Sequence, residues 1–541
     1  MRDIIKDPDV AYRRRWGTLL VLCLSLMVIG LDNTILNVAI PTLSRSLHAS
    51  TSQLQWIVDS YTIVFAGLLL TAGSLGDRFG RYRALAIGLA IFGVGSLASA
   101  FATSATTLIA TRAFMGIGGA FIMPATLSII TNVFTDPAER GKAIGIWAGV
   151  SALGIGFGPL VGGYLLTQFW WGSVFLVNVP VVILALVAGF VLVPDSSDPS
   201  APKLDPVGAV LSIAGLGAIL YAIIEGPSYG WTSVNVLGGF GLGVAVLVGF
   251  MAWELSYSSP MLDIRFFQNP RFTAASGAIT LTFFTLFGSL FLLTQYLQSV
   301  LGYSTLKAGA VLLPQALLLM ACASTSNLWV RRFGNKIVVA FGLSVVAVSL
   351  ILFAQLPVNA SMAQVIITTL VLGLGMGNVM APATDSIMGS LPRAKAGVGS
   401  AVNDTTRQVG GAVGVAALGS ILSSGYHHSV SAGAAAQHLP VALTRAVSDN
   451  VGRAIGVAHS PQAGQFGTAI SDLARRSFVS AFHTADYVGA GIMVLAALGV
   501  VIWLPARARD DVVVPSTEGR FDPSDAPFEE LGIRTPALES R

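Results

Sequence analysis

Apolar and polar positions alternate along this chain on a scale of about twenty residues, the length that a helix needs to cross roughly 30 Å of hydrocarbon. Fourteen predominantly apolar stretches lie near residues 16–39, 54–75, 84–103, 107–131, 142–167, 174–194, 206–226, 234–254, 272–297, 305–329, 337–355, 361–389, 397–422 and 481–504. Backbone groups in lipid must bond to one another, which leaves helices or a closed barrel, and runs this long and continuous exceed the reach of barrel strands. The pattern predicts an all-α polytopic membrane protein with 14 transmembrane helices.

Loop charges test that count independently, because Lys and Arg concentrate in short cytoplasmic loops. With the N-terminus inside, the cytoplasmic loops hold Arg78, Arg81, Arg83, Arg140, Lys142, Lys203, Arg265, Arg271, Arg331, Arg332, Lys336, Arg393 and Lys395, whereas the short outer loops hold only Arg45 and Lys307. Arg13, Arg14 and Arg15 anchor the start on the same side. An even number of spans returns the C-terminus there, so both termini are expected to be cytoplasmic and the protein to sit in the cell membrane. Hydrophobic residues make up 54% of the chain and charged residues 11%, against about 25% charge in soluble domains. The net charge of +4 then reports topology and not nucleic-acid binding. The first apolar run is too long for a cleavable signal peptide, and Cys23 and Cys322 fall within spans, without metal-like spacing.

Three local patterns recur at nearly one offset, the mark of an internal repeat. Arg78-Phe79-Gly80 returns as Arg332-Phe333-Gly334, Pro124-Ala125-Thr126 as Pro382-Ala383-Thr384, and Arg140-x-Lys142-Ala143 as Arg393-x-Lys395-Ala396. Each pairing joins span n to span n + 8. The expected organisation is a cytoplasmic segment 1–15, an N-terminal six-helix half 16–194, a linker with two inserted helices 195–255, a C-terminal six-helix half 256–505 and a disordered cytoplasmic tail 506–541. The second half contains a polar segment, 424–480, expected as a solvated external loop, with His427, His428 and His438 as solvated residues and not metal ligands.

Several motifs carry chemistry. Gly73-Ser74-Leu75-Gly76-Asp77-Arg78-Phe79-Gly80-Arg81 lies on the turn between spans 2 and 3; its glycines permit a tight turn, and Asp77 can pair with arginines or cap a neighbouring helix. Span 5 carries Gly154, Gly158 and Gly162 four apart, a flat face for close packing, with Pro159 bending the helix and Gly163 following. Span 1 contains Leu31-Asp32-Asn33-Thr34-Ile35-Leu36-Asn37, and a carboxylate at such depth costs roughly 2.5 to 3.5 kcal/mol on insertion scales. The turn motif resembles the signature loop of the major facilitator superfamily, and Gly158-Pro159-x-x-Gly162-Gly163 resembles the motif of its antiporters. With the span 1 motif, Phe175-Leu176-Val177-Asn178-Val179-Pro180, Gln55-Trp56 and Gln295-Tyr296-Leu297-Gln298, the chain resembles the fourteen-span drug:proton antiporters, multidrug exporters of the EmrB/QacA type, over about residues 12–505. Trp171-Gly172 departs from that family's pattern.

The resemblance implies the major facilitator fold, with a turn motif that holds the cytoplasmic side shut in one state, and a proton-transfer role for the arginine matched by Arg112. At 1.5 Å per residue, Asp32 lies about 6 Å and Arg112 about 9 Å outward of their helix midpoints. They are expected to meet. Asp59, about 8 Å outward in span 2, either joins them or is a wet residue at the pocket mouth. Asp404 and Arg407 share a helix face and read as a structural pair, leaving Asp385 as a candidate second carboxylate. Glu225, His483 and Asp486 read as interfacial, with Glu225 the one to touch substrate.

The function so implied is proton-coupled efflux of amphipathic, often cationic compounds by alternating access. The chain is expected to be no enzyme, to use no cofactor or metal beyond the proton gradient, and to work as a monomer in the lipid bilayer without nucleic-acid partners. A dedicated exporter of one endogenous metabolite or antibiotic is the alternative. A proton-coupled importer is disfavoured by the Gly158-Pro159 motif.

Overall fold

A computed structural model of the chain describes residues 12–197, 204–391 and 396–505, apart from 437–438, 441–442 and 445–446. Residues 1–11, Lys203, Arg393, Lys395, His438 and the expected tail lie outside the described residues.

Long helices account for the described chain. The six of the first half are α1 (Arg15–Ser46), α2 (Thr51–Phe79), α3 (Arg81–Ala100), α4 (Ala105–Val133), α5 (Pro137–Gln168) and α6 (Asn178–Leu192). The inserted pair follows as α7 (Pro206–Tyr229) and α8 (Val234–Ser256). The second half comprises α9 (Pro270–Gln295), α10 (Thr305–Phe333), α11 (Asn335–Phe353), α12 (Met362–Met388), α13 (Ala396–Ala436) and α14 (Gly467–Trp503). Thirteen membrane-crossing helices are found among the described residues, and α5 covers the remaining expected stretch. Local chemistry sets many of the ends: Ser50 and Ser361 form capping boxes with Gln53 and Gln364, which satisfy orphan backbone donors of α2 and α12.

The repeat legible in the sequence appears in the packing. In the first half α1 packs on α5, α2 on α4 and α3 on α4; in the second, α9 packs on α13, α10 on α12 and α11 on α12. The halves meet along two related seams, α5 with α10 and α2 with α13, and α7 lies against the second seam, touching both α2 and α13.

The end of the bundle carrying Arg78, Arg83, Arg140, Arg331 and Arg332 is here called the basic end. Apart from the bond that Thr71 Oγ1 donates to Met261 Sδ at 3.5 Å, the hydrogen bonds described between the halves lie toward the other end. Gln55 Nε2 donates to Val415 O and Ala416 O, at 3.1 and 2.9 Å. Gln298 Nε2, in a π-helical turn Tyr296–Val300, donates to Val38 O at 2.8 Å. Along the α5–α10 seam, Gly163 meets the Thr305 backbone and Gly156 meets Ala316, but Gly145 and Gly149, nearer the basic end, face open space. The bundle is therefore sealed at one end and parted at the other.

Segment 424–480 departs from the loop expected of it. The helix of span 13 continues to Ala436, a short helix covers Val451–Ala458, and α14 begins at Gly467. Alanine-rich sequence is good helix-forming sequence once it leaves the membrane; His427 and His428 are exposed on that extension. The short helix is tied to the first half: Asn450 Nδ2 donates to Ala49 O at 3.1 Å, Ser44 Oγ donates to Asn450 Oδ1 at 2.9 Å, and Thr51 Oγ1 donates to Asp449 O at 2.9 Å.

Candidate functional site: a buried ion pair beside an apolar cavity

Asp32 and Arg112 meet as their depths predict. Arg112 Nη1 lies 2.5 Å from Asp32 Oδ2, and the two residues are 2% and 0% exposed respectively. A buried pair is tolerable only when its remaining donors and lone pairs are also satisfied. Arg112 Nε donates to Ile57 O at 3.2 Å, and the guanidinium lies 4.4 Å from the centre of the Tyr61 ring. Asn178 Nδ2 donates to Asp32 Oδ1 at 3.3 Å and to Ser96 Oγ at 3.0 Å, while Ser96 Oγ donates to Phe175 O. Helices α1, α3, α4 and α6 each supply a side chain to this network, and α2 supplies a carbonyl and a ring.

Asn178 stood in the sequence motif without a role, and Ser96 and Tyr61 carried no signal at all. The glycine face of α5 holds α1 in place from behind: a Cβ at Gly154 would lie 3.0 Å from Met27 O, and one at Gly162 3.1 Å from Ile35 O. Gly158 is equally close to Thr34 and Leu31, and Pro159 O abuts Gly309 of α10. The motif thus packs α5 on the helix that bears Asp32 and on the opposite half.

Two cavities lie between the halves, and Arg112 lines the smaller of them. The smaller is a narrow gap lined by Asn33, Asn37, Thr62, Arg112 and Gln408 among others, so Arg112 borders space between the halves. The larger is lined chiefly by Phe283, Leu286, Leu290, Leu312, Leu319, Met320 and Met380, with Thr34 and Gln315 as polar members. Asp32 lines neither cavity.

The other expected carboxylates are placed differently. Asp59 is fully buried, and neither of its oxygens has a hydrogen-bond partner among the described residues. It does not join Arg112. Ile57 and Tyr61, which face Arg112, stand about 200° around α2 from Asp59, whose face is shared by Gln55, Trp56 and Ile63. Gln55 meets α13, Trp56 Nε1 donates to Glu225 Oε1 at 3.1 Å, and Ile63 packs with Leu220, Ile224 and Ala412. Asp59 therefore faces the junction of α2, α7 and α13, and is not a wet residue. Glu225 pins α7 to α2 and lines neither cavity.

Asp385 is exposed in the last turn of α12, whose helix ends three residues later. Asp404 and Arg407 lie 3.7 Å apart, and Arg407 also donates to Thr384 Oγ1 and covers Phe283, as befits a structural pair. Asp486, expected at the interface, is 1% exposed: α14 begins nineteen residues earlier, at Gly467, so this position lies well inside the helix. Among the described residues no His, Cys, Asp and Glu side chains cluster as metal ligands.

At the basic end, Asp77 pairs with Arg81, four residues on, at 2.6 Å, and does not cap α5, which Asp136 caps. Arg78 is exposed. Gly73 and Gly76 allow α2 to approach Pro124 and Ala84. Gly80 adopts φ +123°, and a Cβ there would lie 2.8 Å from Asp195 Oδ1, which belongs to the stretch that also binds Arg81 N through Ser196 O and pairs with Arg83. Gly80→Ala is expected to destabilise the purified protein by on the order of 1 to 3 kcal/mol, read as a lower midpoint in a thermal melt. An unchanged melt would show that the turn relaxes freely. Unforeseen in the sequence, Arg15 forms a two-pronged bond to Glu139 at 2.9 Å and joins the starts of α1 and α5.

A two-fold repeat of membrane helices, parted at one end around an apolar cavity, is the architecture of a transporter of small molecules. The chain belongs to the Major Facilitator Superfamily, whose sequence profile matches residues 22–415. It is 39% identical to the multidrug efflux pump LfrA of Mycolicibacterium smegmatis, over 90% of this chain and 96% of that protein. It is 32% identical to the tetracenomycin C resistance and export protein of Streptomyces glaucescens, over 94% and 96%, and 35% identical to the methyl viologen resistance protein SmvA of Salmonella typhimurium, over 91% and 98%. These relatives bear out the resemblance to drug exporters. The fold is shared with a bacterial homologue of the human lysosomal transporter Spinster, at 17% identity and a TM-score of 0.66, covering 92% of this chain and 99% of that one.

Proposed function

We propose that this protein exports amphipathic, often cationic compounds across the plasma membrane in exchange for protons, by alternating access between its halves. The observation that carries the reading is the Asp32–Arg112 pair, buried in the first half with its guanidinium on a cavity between the halves. The efflux and resistance relatives support export, and the concentration of Arg and Lys at the basic end supports a cytoplasmic location for that end and both termini. On that assignment the structure is inward-facing, ready to receive substrate from the cytoplasm.

Proton and substrate compete through Arg112. While Asp32 is ionised the pair is neutral and the apolar cavity accepts a cation. When a proton from the outside neutralises Asp32, the charge of Arg112 is left uncompensated on the smaller gap between the halves and disfavours a cation there. Asp59 supplies a second proton-binding group, reached by water only when α2 parts from α13; an ionised carboxylate left buried and unpaired costs several kcal/mol. The turn motif acts as the cytoplasmic latch of the outward-facing state.

Everted membrane vesicles with an acid interior test the proposal. Ethidium should accumulate inside them in a protein-dependent manner, and nigericin, which collapses the pH gradient, should release it. Accumulation in right-side-out vesicles instead would establish import. The tetracenomycin relative favours one variant of the reading, export of a single endogenous compound; failure to move any of a panel of unrelated cations would select it.

A further inference from the structure

We propose that Gln315 makes the large cavity selective for molecules that carry an N–H or O–H donor, by accepting a hydrogen bond from that donor on its side-chain oxygen. The inference rests on the reading of this cavity as the substrate site and adds to it a rule of recognition that is independent of charge.

Among the described residues the cavity lining offers no acidic or basic side chain. A cation can therefore be held there by apolar contact and ring faces such as Phe283, but nothing in the lining singles out its charge. Only two side chains bring polar atoms. Thr34 Oγ1 is turned back on its own helix, 3.3 Å from Gly30 O. Gln315 is 4% exposed, and its Oε1 is buried without a hydrogen-bond partner among the described residues. A buried amide oxygen without a donor is costly, and the cost is recovered by any ligand that brings one.

The position is also held firmly. Gly373 of α12 lies so close that a Cβ there would sit 2.6 Å from Gln315 O and 3.3 Å from its Cγ. The side chain is thus clamped between α10 and α12 at the cavity wall, which limits the freedom lost when a ligand binds. An apolar pocket with one fixed acceptor discriminates chiefly against analogues that leave that acceptor unpaired.

Two lipophilic monovalent cations separate donor from charge: ethidium carries two aryl amines, and tetraphenylphosphonium carries no N–H or O–H. Equilibrium binding of each to the purified full-length protein in detergent is measured for wild type, Gln315→Met and Gln315→Glu. The Met variant, similar in shape but without an acceptor, should bind ethidium about tenfold more weakly, a loss of about 1.4 kcal/mol, with tetraphenylphosphonium unchanged. The Glu variant, which keeps acceptor oxygens, should retain ethidium. Wild type should also bind fully N-methylated ethidium about tenfold more weakly than ethidium, an arm that needs no variant to fold. Equal losses for both cations, no loss for either, or a wild type that binds neither overturns the proposal. Because binding needs no gradient, these outcomes are independent of whether the vesicle experiment shows proton-coupled export.

Discussion

Asp32→Asn is expected to abolish pH-gradient-driven efflux and, at the same time, to lower the stability of the protein. The two effects have separate causes. Asparagine keeps the shape of aspartate and an acceptor for Asn178, but it cannot titrate, so the gradient loses its point of entry. One pH unit is worth about 1.4 kcal/mol per proton, or about tenfold accumulation, and that margin should vanish in everted vesicles. Stability falls because Arg112, 2% exposed, loses the carboxylate 2.5 Å away. Leaving one member of a buried pair uncompensated costs about 3 to 5 kcal/mol. Adding Arg112→Gln to Asp32→Asn should recover most of the lost thermal midpoint without recovering transport, since the unpaired charge is gone and the titrating group is still missing. Retained gradient-driven efflux in Asp32→Asn, with wild-type sensitivity to nigericin, would remove Asp32 from the coupling mechanism.

A cross-link between Ser44→Cys and Gly452→Cys should stop transport completely and reversibly. A Cβ at Gly452 would lie 3.6 Å from Ser44 Cβ, within the separation that a disulfide spans without backbone movement. The two positions join the outer end of α1 to the short helix before α14, across a contact already made by Asn450 and Ala49. Under the proposed cycle these surfaces must separate for the outward-facing state to form. Oxidation in a background lacking Cys23 and Cys322 should therefore leave substrate binding intact and reduce efflux to background, and dithiothreitol should restore it. Full efflux from completely cross-linked protein would mean that the short helix travels with α1 and plays no part in opening.

The helices were legible because the bilayer imposes a length on every one of them. Depth was legible too, since the helical rise is fixed; this is why Asp32 and Arg112 could be paired across eighty residues. Rotation about a helix axis was not. Asp59 has nearly the depth of Asp32, yet its side chain leaves α2 on the opposite face, and only the positions of α7 and α13 reveal that. Gln55 and Gln298 stood in recognisable motifs, but their partners are backbone carbonyls 360 and 260 residues away, and carbonyls leave no trace in sequence. Glu225 is placed in sequence only by its position at the end of span 7, which says nothing of its partner Trp56. Segment 424–480 was misread because Ala, Ser and Gly suit both a loop and a helix that emerges from the membrane.

The pairing of Asp32 with Arg112 also decides which step of the proposed cycle feels the membrane voltage. With Asp32 ionised the two side chains carry no net charge, so the unprotonated carrier moves outward through the field with no charge beyond that of its substrate. With Asp32 protonated, the guanidinium crosses part of the field uncompensated, and a full elementary charge over 100 mV corresponds to about 2.3 kcal/mol. An interior-negative potential then draws the proton-loaded form inward. Exchange of one proton for a neutral substrate becomes electrogenic and uses both voltage and pH gradient, whereas exchange for a monovalent cation is electrically silent and runs on the pH gradient alone.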